Sequence, residues 1–348
     1  MHTDSPRPAR AFDLRTRAVP VVAAPMAGGP STAALAAAVS AAGGLGFLAA
    51  GYKTADAMRQ EIQAVRTLTQ APFGVNVFVP QPSTANEEAL ATYARSLEAD
   101  AAALEAALGT PRHDDDGWSD KLDVLLDLAP AVVSFTFDVP DQNVLAALEA
   151  AGIAVLQTVT SRAEADRAVA AGVDALVVQG PEAGGHRGTF DALAEPGTTP
   201  LLELLDELRD LPVPLIAAGG IVSGEDTRAA LGHGAIAVQA GTAFLRADEA
   251  GTKAAHRAAL ASREFEATAL TRAFSGRYAR ALLNDFMRDH DHDAPLAYPE
   301  VHHLTAPLRA AAAAAGESQR LNLWAGVNVG RTIAGSAADI VQSLVPSG

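Results

Sequence analysis

Residues 180–190 read GPEAGGHRGTF and set one histidine, His186, among four glycines, Gly180, Gly184, Gly185 and Gly188. An imidazole titrates near neutrality and can take or give a proton. Glycine costs backbone entropy and is used where the chain turns sharply or comes close to another group. The pattern suits a base held over something that rests on main chain. Arg187 follows directly, but adjacent loop side chains diverge, so it is expected to stay outside the site.

Other small and polar residues punctuate apolar runs. Asn76 interrupts FGVNVFVP (73–80), Gln157 lies in IAVLQTV (153–159) and Gln179 near the end of ALVVQG (175–180). PMAGG (25–29) supplies Met26, Ala27 and Gly28. AAGGI (217–221) and QAGTAF (239–244) place Gly219–Gly220, preceded by Ala218, and Gly241–Thr242, preceded by Ala240, after the last two apolar runs. Glycine N–H groups and a threonine hydroxyl there suit a phosphate. The PMAGG backbone suits a flat ring, with Asn76 and the two glutamines as partners for its polar edge. Flavin mononucleotide (FMN) meets this description; by these residues alone, so do a phosphosugar and a nucleotide.

Strand ends must position such groups. Eight short runs rich in Val, Ile, Leu and Ala fall at 19–25, 45–50, 73–80, 131–137, 153–159, 175–180, 214–220 and 235–241. Their apolarity on both faces predicts a parallel sheet. Helical patterns at 31–42, 54–69, 141–151, 161–171, 200–209 and 224–232 separate most of them, with Ser31, Thr54, Ser161 and Ser223 as expected N-caps. The alternation predicts an α/β fold, a (β/α)8 TIM barrel over 1–250. An open doubly wound sheet is disfavoured, because no strand leads into G-x-G-x-x-G with an acidic residue beyond. Residues 81–130 form a helical excursion, with runs near 85–108 and 117–128 around a solvated acidic loop, HDDDG (113–117). Residues 251–320 are expected to be a smaller, mainly helical domain at the barrel mouth, and 321–348 a segment returning to the barrel.

Bulk properties narrow the function classes. A formal charge of −15 over 348 residues argues against nucleic-acid and anionic-membrane partners. The absence of cysteine excludes disulfides, thiol catalysis and Cys-based metal sites. DHDHD (289–293), with His290 and His292, reads as solvated charge, so no metal is expected. MHTDSPRPAR lacks the layout of a signal peptide, and glycines break the apolar stretch 33–50, so a cytoplasmic protein is expected. His302 and His303 read as capping or surface residues, His233 as structural, and Trp324 either closes the pocket or packs a junction.

Several segments resemble, in order along nearly the whole chain, the nitronate monooxygenase family. They are APMAGGPSTAALAAAVSAAGGLGFL (24–48), VVQGPEAGGHRG (177–188), PLIAAGGI (214–221), AVQAGTAFL (237–245), SGRYARALLNDF (275–286), YPEVHHLTAPLRAA (298–311) and LNLWAG (321–326). The resemblance implies an FMN-containing TIM barrel that oxidises alkyl nitronates, and nitroalkanes by way of the same base, with O2 to a carbonyl compound and nitrite. It makes His186 the base, or as a cation the holder of the nitronate oxygens. It places Met26, Ala27 and Gly28 beside the flavin, Asn76 against it, Gln179, Gly184 and Gly185 at its wall, and Gly219, Gly220, Gly241 and Thr242 at its phosphate. Tyr298 and Arg277 are candidates through their segments alone. Val327 stands where the family often has Gln, which alters the substrate-side edge. Competing readings are an NAD(P)H-dependent quinone or enoyl-thioester reductase on the same barrel, a non-redox isomerase or lyase of a phosphorylated metabolite, and a flavin binder without turnover. A homodimer is compatible with all of them.

Overall fold

Uncharged runs of Val, Leu, Ile and Ala become strands because both of their faces are covered. A computed structural model of the chain describes residues 15, 18–262, 264, 265 and 267–347; the segment MHTDSPRPAR lies outside them. The strands are β1 (Val21–Ala23), β2 (Gly46–Ala49), β3 (Phe73–Phe78), β4 (Val132–Thr136), β5 (Ala154–Val159), β6 (Ala175–Gln179), β7 (Gly185–His186), β8 (Leu215–Ala218), β9 (Ala235–Ala240), β10 (Thr268–Thr271) and β11 (Ala279–Leu282).

Eight of them form one parallel sheet in the order β1-β9-β8-β6-β5-β4-β3-β2. Leu45 closes the ring: its N–H donates to Val21 O and its carbonyl accepts from Ala23 N–H, both at 2.9 Å. Alternate residues point in and out. Val22, Phe47, Val132, Leu156, Val177 and Ile216 fill the barrel, whereas Val21, Leu48, Val133, Val155, Leu176 and Ala217 pack under the helices. The expected TIM barrel is therefore present.

Helix starts follow their caps. Thr54, Ser161 and Ser223 each accept an N–H from the third residue onward. The first helix is capped by Thr32, not Ser31. Ser31 is buried and its Oγ accepts the Met26 N–H at 2.8 Å, which fixes the loop after β1.

The excursion holds helices Glu87–Ser96, Glu98–Ala103 and Trp118–Leu128. The acidic loop between them is not simply solvated. Asp116 accepts the Tyr52 N–H at 3.0 Å and pairs with buried Lys121 at 2.6 Å, and Asp114 pairs with His303 at 2.7 Å. His290 also departs from its expected solvation: it is buried, with Nε2 2.7 Å from Asp100, which Arg320 pairs from the other side at 2.6 Å. His292 is exposed.

Beyond β9 lie helices Ala254–Ala261, Asp285–His290 and Glu300–Ala315. The chain between them is not all helical. SGRYARALLNDF supplies β11, which pairs antiparallel with β10 on one side and β7 on the other. Leu90, Tyr93 and Leu97 of the excursion share a buried apolar cluster with Phe274, Phe286, Leu304 and Leu308. Among the described residues no helix is long and apolar enough to cross a membrane.

Candidate active site

The C-terminal ends of the barrel strands open into a cavity of about 390 Å³. Met26, Ala27, Gly28, Asn76, Gln179, Gly184, Gly185, His186, Ala218, Gly219, Gly220, Ala240, Gly241 and Thr242 all line it. Gln157 does not. Strand parity points it outward from β5, where its Nε2 donates to Phe135 O and Thr158 O. The next residue, Thr158, faces the cavity instead. Parity also brings in Gln239, which sequence reasoning passed over.

Gln179 faces the cavity, but much of its amide is used within the protein. Its Nε2 donates to His186 O at 3.0 Å and its Oε1 accepts the Gly188 N–H at 2.8 Å. The glutamine therefore clamps the loop that carries the histidine. Arg187 clamps it from below: its guanidinium is buried and donates to the carbonyls of Gly180 and Gln179. Gly184 is required by close approach, because a Cβ there would lie 2.5 Å from Gly326 N.

His186 sits on β7, opposite Ala279 of β11. Its Nε2 is 2.8 Å from Ser275 Oγ, and Phe137, Tyr298 and Trp324 surround the ring at centroid distances of 6.0, 5.8 and 5.4 Å. Trp324 also packs edge-on against Phe274, so it both lines the cavity and fills the junction. Burial, with help from Arg277 and Arg309, lowers the His186 pKa to about 3. The imidazole is therefore neutral at physiological pH, and the positive charge around it belongs to other groups.

Those groups come from the last third of the chain. His302 lines the cavity and stacks on Tyr52 at 3.9 Å, which corrects its reading as a cap or surface residue. One turn on, Ala306 lines the cavity, then Arg309. Arg309 donates to Thr305 Oγ1 at 3.0 Å, His302 O at 2.9 Å and His302 Nδ1 at 3.1 Å. Arg277 donates to Gln81 Oε1 at 2.5 Å and lies 3.9 Å over the Phe137 ring. Burial lowers both guanidinium pKa values to about 10, so both stay charged. Tyr298 donates to Tyr52 Oη at 3.2 Å, and burial raises both phenols, Tyr52 to about 12. Tyr52 (φ 67°) and Phe137 (φ 86°) hold strained backbone on the cavity wall.

The sum is an unusual charge balance. Among the described residues no Asp or Glu lines the cavity, whereas Lys253 and Arg309 do, in a protein of net charge −15. Neither Arg277 nor Arg309 has a carboxylate within ion-pair reach among the described residues.

Buried neutral histidines carry a cost in acid. His186, at about 3, and His256, lowered by burial to about 4, lie below the ordinary 6.5, and His302 is lowered further still. Below pH 6.5 the unfolded chain binds protons that the folded chain does not, so the stability these groups contribute is complete above 6.5 and falls as pH drops toward the folded values. Urea unfolding at pH 7 and pH 5 should show a loss on the order of a few kcal/mol. The loss should shrink in His256→Gln; an equal loss in that variant would place the acid sensitivity elsewhere.

A model of the family described as nitronate monooxygenase matches residues 13–347. Nitronate monooxygenases of Paraburkholderia phytofirmans and Pseudomonas aeruginosa are 41% and 42% identical to this chain, over 93% and 94% of it and 91% and 95% of their own lengths. Among solved structures, a nitroalkane oxidase from Streptomyces ansochromogenes superposes with a TM-score of 0.90 at 49% identity, covering 95% of this chain and 96% of that one. FabK from Thermotoga maritima superposes with a TM-score of 0.72 at 26% identity, covering 93% and 91%. The family match spans nearly the whole chain and the relatives are covered over nearly their full lengths, so the chain belongs to the nitronate monooxygenase family.

Proposed function

We propose that this cavity oxidises alkyl nitronates, and nitroalkanes once their α-proton is removed, with FMN and O2, releasing a carbonyl compound and nitrite. The observation that carries the reading is a cavity lined by Arg309 and, among the described residues, by no carboxylate, beside a neutral His186. Such a site welcomes an anion and supplies a base, which are the two requirements of a nitroalkane that must become a nitronate.

The residues present fit a flavin nucleotide. Gln239 Oε1 and His256 Nε2 are buried on cavity-lining side chains without a hydrogen-bond partner; the first would accept from a ligand N–H or O–H, and the second would accept or donate according to its tautomer. Gly219 (φ 123°) and Gly220 (φ 70°) adopt backbone that other residues rarely reach, at the end suited to the phosphate. Thr242 Oγ1 accepts the Gly326 N–H at 2.9 Å, which leaves its own hydrogen to donate. Met26, Ala27 and Gly28 would flank the ring, with Asn76 nearby. FMN, when bound, supplies the electron-accepting ring and the reaction with O2. The protein's share is to remove the proton at His186, to hold the nitronate oxygens at Arg309, and to keep bulk water out with Tyr52, Phe137 and Trp324.

The test is a visible spectrum taken anaerobically with ethylnitronate. The expected result is a flavin band that bleaches with nitronate, and nitrite once air is admitted. A flavin that ignores nitronate and bleaches with NADH or NADPH would replace this reading with the reductase, and a colourless protein that binds no FMN would remove the cofactor.

A further inference from the structure

The pairing of His186 with Ser275 decides which ring nitrogen can act. Ser275 Oγ lies 2.8 Å from His186 Nε2 and 3.2 Å from the Arg277 carbonyl oxygen, and Ser275 is buried. A serine hydroxyl carries one hydrogen, and a carbonyl can only accept. With that hydrogen on the Arg277 carbonyl, Oγ presents a lone pair to Nε2, so Nε2 must carry the imidazole hydrogen. The other nitrogen, Nδ1, has no hydrogen bond among the described residues and is not among the enclosed, unpartnered atoms; it is the ring nitrogen left for the cavity that His186 lines.

We propose that Ser275 is a positioning residue that holds His186 in the Nε2–H tautomer, making Nδ1 the atom that takes the substrate's α-proton. The inference rests on the nitroalkane reading given above. In the step, the α-carbon–hydrogen bond breaks, an Nδ1–H bond forms, and the electron pair stays behind as the nitronate; no oxidant or reductant is consumed. The resulting imidazolium keeps its Nε2–H on Ser275 Oγ, and the chain runs on to the Arg277 carbonyl. That dipole chain offsets part of the repulsion from the Arg277 and Arg309 guanidinium groups, which face the ring from the β11 hairpin and the 300–315 helix. The neutral His302, Tyr52 and Tyr298 are the other titratable groups near it.

The decisive measurement is the ¹⁵N spectrum of histidine-labelled protein, assigned through His186→Asn. Wild-type His186 should show a pyridine-type Nδ1 and a pyrrole-type Nε2, and Ser275→Ala should mix or reverse the two. In the same variant, kcat on a neutral nitroalkane should fall roughly 10–100-fold, whereas turnover of the preformed nitronate should stay within about twofold, because no proton is then removed. A pyrrole-type Nδ1 in the wild type, an unchanged tautomer in Ser275→Ala, or equal losses on both substrates would overturn the assignment. The spectrum reads the tautomer whatever the substrate, so a failed tautomer and a failed nitroalkane reading are told apart.

Discussion

His186→Asn, with its flavin retained, is expected to lose roughly a hundred- to ten-thousandfold in kcat/KM on neutral nitroalkanes, the usual worth of a positioned general base. The substitution keeps a polar side chain beside Ser275 but removes the lone pair that accepts a proton. Preformed nitronates need no deprotonation, so their turnover should fall by about tenfold at most. The wild type should also lack a His186 limb in its pH profile for nitroalkanes between about pH 5 and pH 8. Burial has already pushed the imidazole to about 3, so the base form is present throughout that range. Nitroalkane turnover that survives the substitution within a few-fold would remove His186 from the chemistry.

Arg309→Met should weaken nitronate use by about thirty- to several-thousandfold, the equivalent of 2–5 kcal/mol for removing one partner of a buried charged pair. Methionine keeps much of the stem volume and removes the only cavity-lining guanidinium among the described residues. The loss should appear in KM for nitronate and equally in inhibition by nitrate, a planar anion of similar shape. Arg309 also holds His302 and Thr305, so an unchanged flavin spectrum and melting temperature are needed to tie the loss to the anion. Arg309→Lys should recover part of the affinity, because it keeps the charge and loses the fork. Nitrate affinity that ignores both substitutions would move anion binding to Lys253 or to backbone.

Much of the barrel was legible because both-face burial writes continuous apolar runs, and each such run became a strand. The site was legible where glycine marks a backbone requirement, as at Gly184 and at Gly219–Gly220. It was misread where position in a run was taken for direction. Counting by twos from Ala154 and from Ala237, both inside the barrel, sends Gln157 outward and brings Thr158 and Gln239 in. The β10–β11 hairpin was missed because ARALL alternates weakly and reads as well in a helix; tertiary pairing with β7 decides it. Arg309 was hidden for a related reason. An arginine in an alanine-rich helix looks like solvent-facing charge, yet His302, Ala306 and Arg309 recur at helical spacing and share one face. The acidic loop looked solvated because sequence does not show that Lys121 and Tyr52 converge on Asp116.

The pairing of β7 with β11 also sets the order in which the site comes into being. All eight barrel strands are complete by Ala240, but Ser275 follows His186 by 89 residues and β11 comes later still. As the chain leaves the ribosome, the floor of the site can be laid down while the base still has no strand to lie against. Synthesis of the final third gives a bearing to a histidine made long before, and it adds Arg309 and Trp324 to the same cavity only after that.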